Sequence, residues 1–145
     1  MYFVDRDQIE QTLEFLDRQI DFFESNGSWE TPMEKAALER AAHTMVEAVL
    51  DVGNSMIDGF IMRDPGSYED IIDILDDEKV VTPDMSAGLK KIVLFRKMLV
   101  QQYTDVDHGS LIQTFKSELP QLKLFPVKVR EYLTNELGPV SAFKK

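Results

Sequence analysis

The chain has 145 residues, of which 26 are acidic and 16 basic, giving a formal net charge of −10, and it has no cysteine. That length fits a single domain over residues 1–145 with a polar tail at 139–145, since a chain of this size can bury a core without covalent staples. The missing thiols exclude a disulfide framework, thiolate zinc sites and thiol catalysis, and the acidic balance disfavours phosphate backbones, so any contact with nucleic acid must be local.

Asp5, Arg6 and Asp7 precede any apolar run that could serve as a signal peptide, and no later run approaches the ~18 residues of a membrane span. The expectation is a cytoplasmic protein without a membrane segment. Helix punctuation then divides the chain into about five helices of an all-α, up-and-down bundle. The first opens near Asp5, carries Ile9, Leu13, Leu16, Ile20 and Phe23 at alternating steps of four and three, and stops at Asn26-Gly27. Thr31-Pro32-Met33-Glu34 combines a capping box with a first-turn proline and opens the second. Leu38, Ala42, Met45, Val49, Val52 and Met56 form one apolar stripe there, with Val46, Leu50, Ile57 and Phe60 beside it, which marks a central helix.

Asp64-Pro65-Gly66 breaks the chain, and Ser67 with Asp70 starts a short helix bearing Ile71, Ile72 and Leu75. Thr82-Pro83 opens a fourth helix expected over 83–103, and a final segment runs from Asp107 to Leu137-Gly138-Pro139, with Pro120 and Pro126 expected to split or kink it.

Polar residues interrupt the fourth stripe. Met85, Leu89, Ile92 and Leu99 are apolar, but Arg96 and Tyr103 occupy positions on the same line. Seven residues advance a helix by nearly two turns, so on an unbroken helix these two side chains point the same way and share one cleft. An inward arginine needs a partner, and Asp51, Asp58 and Asp105 are the candidates, with Tyr103 reaching its hydroxyl to solvent.

The string from Phe95 and Arg96 through Lys97, Leu99, Val100, Gln101 and Tyr103 to Asp105 resembles the signature of HepT-like toxins in the HEPN superfamily. That signature is an arginine, four residues, a histidine, one residue and a tyrosine. Arg96 and Tyr103 match, while Gln101 stands where the histidine belongs. Residues 41–57 are similar to the family's second helix, and residues 60–81, with Pro65, Ser67-Tyr68-Glu69-Asp70 and Ile74-Leu75, to its connecting segment. The likeness covers roughly residues 5–137.

The resemblance implies a metal-independent endoribonuclease, with no cofactor, acting as the toxin of a toxin–antitoxin pair. Arg96 would stabilise charge on the scissile phosphate, and the residue at 101 would move protons. Glutamine can orient a water or a ribose hydroxyl, but it has no proton to exchange near neutral pH, so Gln101 puts catalysis in question. A non-catalytic helical binding module is the alternative reading. The resemblance further implies a homodimer with the motif helices lining a shared cleft, and adenylylation of Tyr103 by a minimal nucleotidyltransferase antitoxin.

Lys97 and His108 are possible assisting groups. His108 is otherwise expected exposed in the turn after the fourth helix, His43 is expected as a packing histidine on the second, and Lys90, Lys91 and Lys97 are surface lysines that could enlarge a basic patch. Asp70, Asp73, Asp76, Asp77 and Glu78 read as a solvated acidic face rather than a metal site.

Overall fold

A computed structural model describes residues 3–138, which fold into an all-α bundle without a strand among them. The helices are α1 (Arg6–Ser25), α2 (Pro32–Gly59), α3 (Tyr68–Asp77), α4 (Pro83–Val93), α5 (Phe95–Gln101), α6 (His108–Ser117) and α7 (Leu119–Leu137). Single residues, Leu94 and Glu118, separate α4 from α5 and α6 from α7, so the five expected helices are present with two of them interrupted. Pro139 and the polar tail at 139–145 lie outside the described residues.

Five helix starts, those of α1, α2, α3, α4 and α6, are built by the residue that announces them in the sequence. Asp5 accepts from the Gln8 amide at 3.0 Å, Ser67 from Asp70 at 3.1 Å, Thr82 from Met85 at 3.2 Å and Asp107 from Ser110 at 3.1 Å. Thr31 and Glu34 close a reciprocal capping box, with bonds of 3.1 and 3.0 Å. Gly138 ends α7 with φ at 82°, in the left-handed region open to glycine.

α2 is the centre of the bundle. Both of its expected apolar stripes are buried, and α1, α3, α4, α5 and α6 all pack on it. The α1 stripe from Ile9 to Phe23 is buried along its whole length, while α7 closes over α1 and α4. Arg130 on α7 is tied to α1 through both carboxylate oxygens of Glu10, at 3.0 and 2.8 Å, a two-point geometry that fixes direction as well as distance. Phe115 of α6 is fully buried and meets Phe23 of α1 and Phe95 of α5, at centroid separations of 6.0 and 6.1 Å.

Two expectations need correction. The fourth helix does not run unbroken to residue 103: it is interrupted at Leu94 and ends at Gln101. Beyond Gln101 the chain must turn back to the Asp107 cap, and the Asp105 amide bonding to the Gln102 carbonyl at 3.1 Å makes that turn. The last segment does split ahead of Pro120, which occupies the first turn of α7, where its missing N–H costs nothing. Pro126 breaks nothing, since α7 continues through it with the ring buried in the core.

Truncating Phe115 to alanine is expected to cost about 3–5 kcal/mol, read as a lower midpoint in urea denaturation. Thr31→Ala, which opens only the exposed capping box, is expected to cost about 1 kcal/mol.

Candidate functional site

Along α2, Glu39, His43, Glu47 and Asp51 recur every fourth residue, so they form one ionisable line on the partly exposed side of the helix. α5 and α6 dock charged groups against that line. Arg96, the second residue of α5, donates from Nε to Glu47 Oε1 at 2.6 Å, and its Cζ lies 4.5 Å from the centre of the Tyr68 ring. A charge-assisted bond on one side and an aromatic face on the other hold the guanidinium plane in place. The bond to Glu47 raises the Arg96 pKa above its ordinary value against a smaller opposing effect of burial, so the group is permanently charged.

The partner of Arg96 is therefore Glu47, not Asp51, Asp58 or Asp105. Asp51 contributes only a weaker Coulombic attraction. The interruption at Leu94 is the reason: it releases Arg96 from the buried line of Leu89 and Ile92 and leaves its side chain at the bundle surface, 23% exposed.

Tyr68, Arg96, Lys97 and Gln101 line a cleft of about 250 Å³, with Ser67 and Glu69 on its α3 side. Arg96 and Gln101 would lie roughly 140° apart on a straight helix, yet both border this cleft, which opens between α5 and the start of α3. Tyr103 does not join them. It sits beyond the helix end with 67% of its surface exposed, so the shared direction expected for an unbroken helix is lost. Lys97 is the one basic-patch lysine that reaches the cleft. Lys90 is engaged by Asp73 at 2.8 Å and Lys91 by Glu118 at 3.6 Å.

One histidine is placed differently from expectation. His108 is the first residue of α6, not an exposed turn residue, and its Nε2 lies 2.6 Å from Glu39 Oε2. That contact is two helical turns along α2 from Glu47, roughly 12 Å away, and His108 does not line the cleft. His43 Nε2 lies 3.8 Å from Glu47 Oε1, the same oxygen that receives Arg96. The acidic residues of α3 are partly engaged: Arg63 binds Asp70 at 2.9 Å and Asp77 at 3.2 Å, and its bond is the main cause of the lowered Asp70 pKa. Among the described residues no group of three acidic or histidine side chains has the geometry to hold a metal ion, and no helix is long and apolar enough to cross a membrane.

Glu47 and Tyr68 went unrecognised in the sequence. The four-residue recurrence from Glu39 to Asp51, which interrupts two apolar stripes, was the available signal for Glu47. Tyr68 carried none, because an aromatic beside a helix cap is most often simple packing.

Comparison with known proteins places these features in a lineage. The family model described as Ribonuclease HepT-like matches residues 6–129. "Putative RNase YutE" of Bacillus subtilis (strain 168) is 54% identical over 144 residues, covering 99% of this chain and 100% of that protein. The solved structure of Bacillus subtilis YutE, described as a cytosolic protein of unknown function, superposes with a TM-score of 0.95 at 53% identity, over 99% of this chain and 100% of that one. A tri-AMPylated HEPN toxin of Shewanella oneidensis, solved in complex with its MNT antitoxin, shares the fold at a TM-score of 0.76 and 19% identity, over 87% of this chain and 98% of that one.

Asp51 supplies a test of the electrostatics along α2. Desolvation, and then the neighbouring Glu47 charge, raise its pKa above the ordinary carboxylate value although much of its surface stays exposed. An acid whose pKa is raised on folding favours the folded state below its unfolded pKa and loses that contribution as pH rises through the folded one. Asp51→Asn is therefore expected to raise the Tm at pH 7 and to lose that advantage near pH 3, measured by thermal melts across pH.

Proposed function

This chain belongs to the HepT-like ribonuclease family, and from that premise we propose that it is the toxin of a toxin–antitoxin pair, a metal-independent endoribonuclease whose phosphate-binding group is Arg96. The observation that carries the reading is the fixed guanidinium at the edge of an open cleft. Among the described residues its hydrogen bond to Glu47 uses Nε alone, which leaves the Nη edge for two phosphate oxygens. Lys97 adds positive charge at the cleft, and Gln101 can orient a water or a ribose hydroxyl. In a molecule of net charge −10, such a small basic focus is where RNA would bind.

The proposal includes a homodimer. Leu94, 56% exposed, opens with Phe95 and Met98 onto an apolar groove of about 370 Å³ beside the cleft, a surface suited to a second copy of the chain. A two-fold axis there would bring two Arg96 clefts together and concentrate positive potential. Tyr103 is the proposed acceptor of adenylate from a minimal nucleotidyltransferase antitoxin. Its exposed ring beyond the end of α5 is open to another enzyme's active site, and attached anionic nucleotides would oppose RNA near Arg96 by bulk and charge. The proposed location of this pair is the cytoplasm.

The alternative, a helical binding module without nuclease activity, draws on Gln101, which cannot exchange a proton near neutral pH. RNA cleavage in the presence of EDTA, measured for the parent, Arg96→Ala and Gln101→His, separates the two. The nuclease reading expects the parent to cleave and Arg96→Ala to lose roughly 10²–10³-fold. Cleavage by Gln101→His alone would sink it and leave the binding module. For Tyr103, incubation with ATP and a minimal nucleotidyltransferase antitoxin is expected to add adenylate to the parent and none to Tyr103→Phe, read by intact mass.

A further inference from the structure

The nuclease reading leaves a gap at position 101, and any residue assigned to fill that gap depends on the reading. Cleaving an RNA phosphodiester without a metal requires a group that takes the proton of the 2′-hydroxyl, within hydrogen-bond reach of it when the phosphate is held. Several ionisable groups surround Arg96, and most are already committed. Glu47 gives Oε1 to the guanidinium at 2.6 Å. Tyr68 lends its ring face to Arg96. His108 is bound through Nε2 to Glu39, far along α2. His43 remains.

We infer that His43, projecting from α2, is the proton-transfer residue of the Arg96 site and takes the place of the absent motif histidine. Its imidazole and the Arg96 guanidinium both approach one carboxylate oxygen, Glu47 Oε1, at 3.8 and 2.6 Å, so the two groups converge on a single atom at the α2 wall, with His43 outside the lining of the cleft itself. The His43 side chain is 32% exposed, enough for a substrate hydroxyl to reach it. At 3.8 Å Glu47 is too far to occupy the ring with a hydrogen bond, yet it is placed to stabilise the imidazolium once a proton arrives. Glu47 is thus a positioning residue for both cations, and the arrangement puts a titratable ring and a phosphate clamp on neighbouring helices instead of on successive turns of one.

In the step assigned to it, neutral His43 accepts the 2′-hydroxyl proton while O2′ forms a bond to phosphorus. The bond from phosphorus to O5′ breaks, and O5′ takes a proton from water. The products are a 2′,3′-cyclic phosphate and a 5′-hydroxyl end, and the imidazolium returns its proton to the hydroxide left behind. Arg96 neutralises charge on the non-bridging oxygens throughout.

The test is cleavage of a single-stranded RNA in EDTA by the full-length parent, Arg96→Ala, His43→Gln and the double variant His43→Gln/Gln101→His. The expected result is cleavage by the parent, a loss of ~10²-fold or more in His43→Gln with unchanged thermal melting, and recovery in the double variant, where a histidine returns at the motif position. A merely structural role for His43 would not be repaired from position 101. Cleavage by His43→Gln at the parental rate overturns the inference and leaves the nuclease reading standing. A parent that cleaves no RNA removes the nuclease reading and this inference together.

Discussion

α2 is buried on several sides by α1, α3, α4, α5 and α6, but it cannot be buried on all of them, because Glu39, His43, Glu47 and Asp51 form a line of ionisable groups down its length. Elements that pack next to that line have to bring counter-charges or keep away. α5 brings Arg96 and α6 brings His108, each meeting a carboxylate at 2.6 Å. The position of the candidate site thus follows from the composition of the central helix. Whatever covers α2 at this edge must offer hydrogen-bond partners and must stay partly wet, since two carboxylates deep in the core would exact a desolvation cost that their partners could not recover.

The interruption at Leu94 belongs to the same requirement. An unbroken helix from Pro83 would continue the buried line of Met85, Leu89 and Ile92 through residue 96 and carry the arginine into apolar surroundings. Across the single residue Leu94, Phe95 turns towards Phe115 in the core and Arg96 meets Glu47 at the surface, so the fold satisfies both an aromatic cluster and an ion pair at this junction.

Much of this architecture was legible in the sequence. Asp5, Thr31, Ser67, Thr82 and Asp107 all cap the helices they announce, because the side-chain oxygen and the amide three residues on are close in sequence and need no tertiary information. The break at Leu94 and the stop at Gln101 were not legible. Neither carries glycine or proline, and each is imposed by packing: the first by Phe95 against Phe115, the second by the need to reach the α6 cap. At the site the motif pattern singled out Arg96, Gln101 and Lys97, which border one cleft, but the cleft expected to join Arg96 with Tyr103 does not form. The recurrence from Glu39 to Asp51 marked Glu47 as part of an ionisable line, but its pairing with Arg96 across 49 positions is set by tertiary packing alone. The same limit hid the pairing of His108 with Glu39.

α5 has only seven residues and no side-chain cap at its start. An isolated helix of fewer than ~12 residues is marginal in water, so α5 keeps its shape through tertiary contact rather than through its own hydrogen bonds. Leu99 is buried towards the core and Arg96 is fastened to α2, and these two anchors hold a segment that also ends in an exposed turn. Amide exchange along α5 would then proceed through local opening well below the cost of unfolding the bundle, and a molecule spanning Arg96 and α2 would slow it. The cleft is a low-stability region resting on a high-stability one, and its degree of order becomes a quantity that binding itself can set.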